Sequence, residues 1–116
     1  MTEVVISDGE KTRIEAVWAI VFSSSNQVLR DAKLYGFEAL GDLPSPNIHD
    51  MVKLLKVIGA MIDALYAFDQ PYEQQRQLLN AKSQITNMER LGSALLAGER
   101  GDYEEALAAL EKQCVI

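Results

Sequence analysis

Few side chains in this 116-residue chain are of a type that performs chemistry at neutral pH. The single histidine, His49, is the side chain whose ordinary titration lies near neutrality, the property a phosphotransfer residue or general base needs. A phosphotransfer histidine is expected in the exposed middle of a helix with Lys and Gly close behind, whereas Met51, Val52, Lys53 and Leu54 follow here. A surface or capping role is the simpler reading. A di-iron carboxylate site in a bundle takes two Glu-x-x-His pairs, which one histidine cannot supply. The lone cysteine, Cys114, has only Lys112 as a basic neighbour in sequence, and a reactive thiolate needs fixed positive charge with partial exposure. Ser23, Ser24 and Ser25 sit in no Gly-x-Ser-x-Gly context and lack an evident histidine base, so they read as small residues for helix packing. Glu99, Asp102, Glu104, Glu105 and Glu111 gather acidic charge without the spacing of a calcium loop, and acids near a helix start are what its macrodipole favours. No Gly-rich phosphate loop is present. The expectation is a non-enzyme with no catalytic residue, no metal ligands and no cofactor.

Charge narrows the partners. Seventeen acidic against eleven basic residues give a net charge of −6, and the basic ones are scattered. Affinity for a phosphate backbone rests on clustered Lys and Arg, so nucleic acid is disfavoured. The longest unbroken apolar run, Ala16 to Phe22, falls far short of the roughly 20 residues that span a bilayer, and no membrane partner is expected. The start, MTEVVISDGE, lacks the basic region and apolar core of a secretion signal; with one cysteine and no disulfide framework, a cytoplasmic protein is expected.

Helical spacing organises the rest. Ile48 to Phe68 is the most apolar stretch and reads as the central helix. Ile48, Met51, Val52, Leu55, Ile58, Ile62, Leu65 and Tyr66 line one face; a second carries Leu54, Val57, Met61, Ala64 and Phe68, leaving a polar strip of His49, Asp50, Lys53, Lys56 and Asp63. Ser45 with Pro46, or Asn47 with Asp50, can cap its start. Upstream, Ser7 and Glu10 form a capping box opening a first helix with Ile14, Val17, Trp18, Val21, Val28, Leu29 and Ala32 in a stripe. Ser23 to Asn26 interrupt that stripe and are the place for a kink. After a turn at Asp69 to Pro71, a third helix places Leu78, Ala81, Ile85, Met88, Gly92 and Leu95 at bundle-seam spacing, with Gly98 and Gly101 ending it. Asp102 and Glu105 form a capping box for a fourth helix with Tyr103, Ala106, Leu107 and Leu110 inward.

Over about a quarter of the chain, Leu91, Gly92 and Leu95 followed by Gly101, Asp102, Tyr103, Glu104, Glu105, Ala106 and Leu107 resemble a tetratricopeptide helical hairpin. The turn is about two residues longer than in that repeat and no second copy lies upstream, whereas such repeats need about three units for stability.

The chain thus reads as all-α, a single four-helix bundle-like domain over 1–116 with a C-terminal helical hairpin and helices at 8–35, 46–68, 70–98 and 102–113. Apolar residues on two faces of helices 1 and 2 predict association, as a homodimer or with another protein. The function expected is a small regulator, such as an inhibitor, anti-activator or adaptor. Its partner, for instance a transcription factor, would be held through Trp18, Phe22, Met51, Leu54, Val57 and Met61. The alternative is a small-molecule-binding or enzymatic bundle with a pocket near Trp18 and Tyr66, among Phe22, Met51 and Met61.

Overall fold

The computed structural model describes residues 4–32, 47–68 and 71–114. It is all-α, with helices α1 (Asp8–Ala32), α2 (Ile48–Tyr66), α3 (Tyr72–Ala97) and α4 (Arg100–Gln113). The expected Ser45 cap, the helix ends at 33–35 and 46, and the turn residues Asp69 and Gln70 lie outside the described residues.

Local chemistry sets the ends. At α1 the Ser7 N–H donates to Glu10 Oε1 at 3.2 Å and the Glu10 N–H donates to Ser7 Oγ at 3.1 Å, the reciprocal capping box. At α2 the Asp50 N–H donates to Asn47 Oδ1 at 3.2 Å. The end of α3 is a Schellman turn: Gly98 sits at φ 74° and donates to Leu95 O, while the Glu99 N–H donates to Ala94 O. This turn corrects the expected start of the fourth helix. The chain leaves Gly98 already wound for α4, which begins at Arg100 with no side-chain cap and carries Gly101 inside it. Asp102 and Glu105 face Arg90 of α3 instead of capping. No break occurs at the serine run: α1 continues, with buried Ser25 donating to Val21 O at 2.8 Å.

The hub is α3, not α2. It packs broadly against α1, α2 and α4, which meet one another sparsely or not at all among the described residues. All three run antiparallel to it. For α1 this follows from Val4 N–H on Leu95 O and Gln74 on Asp31 O; for α2 from Gly92 beside Val52 and Lys82 on Asp63; for α4 from Arg90 on Asp102 and Asn87 on Gln113. The expected seam of α3 is buried throughout, joined by Leu91 and Ala94. Trp18 and Phe22 of α1 fill the core with ring centroids 5.7 Å apart.

Close approach of α2 and α3 depends on Gly92. A Cβ there would lie 2.6 Å from Val52 Cγ2. Gly92→Ala gains about 1 kcal/mol of helix propensity but faces an overpacking cost of about 1–3 kcal/mol, because a β-branched neighbour has no free rotamer to yield. The expected outcome is a lower melting temperature, with Val52→Ala in the same chain relieving the clash. Thermal denaturation of the double-mutant cycle checks it; strictly additive effects would show that the two residues do not meet.

Candidate functional site

Helix α2 spends one face on the core: Met51, Leu55, Ile58, Gly59, Ile62 and Leu65 are buried. The next face round carries Leu54, Val57, Met61 and Ala64, with Phe68 following just past the helix end, spaced alternately by three and four residues, the period of a seam between helices. Nothing among the described residues covers it fully. Val57 is 55% and Phe68 54% exposed, Ala64 is exposed, and Leu54 and Met61 are half-buried where they lean on the core. Over its 19 residues α2 extends about 28 Å, so the strip is long and narrow, a shape suited to a second helix.

Beside the strip runs a rim of Lys53, Lys56, Ala60 and Ala67, all exposed. Neither Lys53 nor Lys56 makes an ion pair with a described residue. Among the described residues Arg13, Arg76, Lys82, Arg90 and Arg100 each hold a carboxylate of their own chain, whereas Lys11 and Arg30 of α1 and Lys112 of α4 are in no ion pair. Asp63, also on the rim side, is bonded to Lys82 at 2.9 Å. The alanines keep the rim low enough for another backbone to come close.

A second cluster lies where α4 meets the start of α1. Glu10, Arg13, Arg100, Glu104 and Leu107 line a groove of about 380 Å³. Tyr103 is fully buried and its hydroxyl donates to Glu10 Oε2 at 2.8 Å; Arg100 reaches Glu10, Glu104 and the Val5 carbonyl, and Arg13 pairs with Glu111. Tyr103 donation, then the Ser7 N–H and Arg100, pull the Glu10 carboxyl down from its ordinary 4.5 to about 2. Burial, then Glu10, push the Tyr103 hydroxyl upward, so it stays protonated. Every charge here is answered within the chain, which makes a clasp between α1 and α4.

The clasp has a pH signature. A carboxyl whose folded pKa lies below its unfolded value adds stability above the unfolded value, and loses it as pH falls toward the folded one. The Glu10 contribution is therefore complete above pH 4.5 and fades as pH drops from 4.5 toward 2. Glu10→Gln is expected to flatten this part of the acid-unfolding curve, followed by circular dichroism. An unchanged acid limb would mean that Glu10 titrates alike in both states.

The structure distributes the residues expected at a partner surface. Trp18, Phe22 and Met51, at 1%, 5% and 2% exposure, belong to the core and are not surface in this chain. Leu54, Val57 and Met61 share the outer strip of α2. Tyr66, expected on the inner face, is 44% exposed, although its neighbour Leu65 is fully buried. Neither the groove at the clasp nor one of about 460 Å³ between α1 and α3, lined by residues such as Ser24, Gln27 and Gln84, includes Trp18, Phe22, Met51, Met61 or Tyr66. His49 is exposed in the first turn of α2. Cys114 is half-buried, and burial pushes its thiol up, away from thiolate. The acidic residues of α4 are dealt out to arginines, and the described residues hold no group of three metal-ligating side chains. No described helix is long and apolar enough to cross a membrane.

Two exposed apolar residues of α3 escaped the sequence reading: Tyr72 at 76% and Leu79 at 53% exposure. The Leu78–Leu79 pair was the available signal, since adjacent helical residues point about 100° apart and only one could enter the seam. They lie toward the start of α3, away from the Arg90–Asp102 contact with α4.

No family model, no curated protein and no solved structure matches this chain.

Proposed function

We propose that this protein is a non-enzymatic protein–protein interaction module, a small regulator whose docking surface is the outer strip of α2 formed by Leu54, Val57, Met61, Ala64 and Phe68. One observation carries the reading: the most apolar helix is not the hub of the fold, so its surplus apolar residues are left in seam-like order on the outside. Water-exposed apolar strips with helical period are what amphipathic helices dock against. The residues first assigned to this role divide accordingly: Leu54, Val57 and Met61 make the contact, while Trp18, Phe22 and Met51 are buried in the core. In the absence of a partner the same strip pairs two copies of the chain.

The test uses a photo-crosslinking residue placed at Val57 in one variant and at Leu79 in another, exposed in lysate of the native host. Adducts of defined mass from Val57 and none from Leu79 are expected, with a doubled-chain adduct marking self-pairing. Adducts from Leu79 alone would move the docking surface to α3 and defeat the proposal.

A further inference from the structure

Resting on the docking surface just proposed, we infer that the segment it receives is an acidic amphipathic helix, with an apolar stripe on the α2 strip and Asp or Glu over Lys53 and Lys56. The chain has only eleven basic residues and a net charge of −6, and five of its arginines and lysines are engaged by carboxylates within the described residues. Lys11, Arg30, Lys53, Lys56 and Lys112 make no such pair among the described residues, and of these only Lys53 and Lys56 lie on α2, one residue before Leu54 and Val57, on the flank that an incoming helix would overhang. Among the described residues α2 carries two carboxylates: Asp63 is held by Lys82, and Asp50 stands a turn before the strip begins and pairs with neither lysine. Ala60 and Ala64, both exposed, let the incoming backbone approach closely enough for its flanking acids to reach the lysines.

A second copy fits this rim less well. The described part of its α2 brings the same lysines and two acids, Asp63, already engaged, and Asp50, a turn before the strip. The charge term speaks for a helix of opposite character, and interfaces use such complementarity to select partners and speed encounter.

Two synthetic helical peptides of equal length and helicity serve as probes, each with a leucine seam, one flanked by Glu and the other by Lys. Fluorescence anisotropy titrations of the full chain at low salt are expected to show the Glu-flanked peptide binding roughly fivefold tighter, the scale of two exposed ion pairs. The preference is expected to vanish at high salt and to reverse in the Lys53→Glu, Lys56→Glu double variant, whose fold is verified by circular dichroism. Equal binding of the two peptides at low salt overturns the charge inference and leaves the docking surface standing. Binding of neither overturns both. A preference for Glu that survives the double variant places the acid-binding rim elsewhere and also overturns the inference, as does a two-copy complex, seen by light scattering, that the Glu-flanked peptide fails to dissociate.

Discussion

Trp18→Ala is expected to destabilise the fold by about 3–5 kcal/mol, the range for removing a large aromatic side chain from a packed core. Trp18 is 1% exposed and stacks obliquely on Phe22, itself 5% exposed, so the vacated volume borders a neighbour that loses its contact. Set against total stabilities of about 5–15 kcal/mol for small domains, such a loss leaves the chain partly unfolded at ordinary temperature. Urea unfolding followed by far-ultraviolet circular dichroism measures it. A variant that keeps wild-type stability but loses partner binding would return Trp18 to the surface role that the sequence reading gave it.

The opposite pattern is expected of Met61→Asp. Met61 is half-buried at the edge of the core, and its outer side belongs to the apolar strip. An aspartate can turn outward to water, so the fold is expected to persist with a loss of about 1–2 kcal/mol. A docked helix, however, would have to desolvate that charge beside its own acidic flank. Partner affinity is expected to drop by about 30-fold or more, the 2 kcal/mol scale of an interface hot spot. Leu79→Asp on α3 is the matched control and should leave binding unchanged. If both substitutions lower binding equally, the effect is loss of structure or net charge, and the strip is not special.

What the sequence made legible was periodic. The all-α class, the inward residues of α3 and α4, the capping box at Ser7 and Glu10, and the Asn47 cap with Asp50 all follow from spacing and cap chemistry, which act within a few residues. The hub was misread for a physical reason. A helix packed on three sides needs small residues for close approach, such as Ala81, Gly92 and Ala94 of α3, and so ranks low in apolar content. α2 ranks high because its outer strip adds apolar residues that the core uses only in part.

The start of α4 was misplaced because Asp102 and Glu105 satisfy a capping pattern and an ion pair with Arg90 equally well, and only tertiary contact decides between them. Trp18, Phe22 and Met51 looked like anchors because burial in a core and burial at an interface call for the same side chains. Of the candidate site, the stripe Leu54, Val57, Met61, Ala64 and Phe68 could be read directly, but its exposure could not, since that depends on α1 and α4 leaving it uncovered. The lysine rim was visible only as a polar strip; its meaning came from its place beside an apolar strip that the fold leaves exposed.

The outer strip of α2 is most directly tested by methyl NMR of the full chain titrated with the Glu-flanked peptide. The account predicts that the methyl signals of Leu54, Val57 and Met61 shift or broaden first and together, with those of Leu79 unmoved. Perturbations centred on Leu79, or spread evenly over the exposed methyl groups of all four helices, would contradict it.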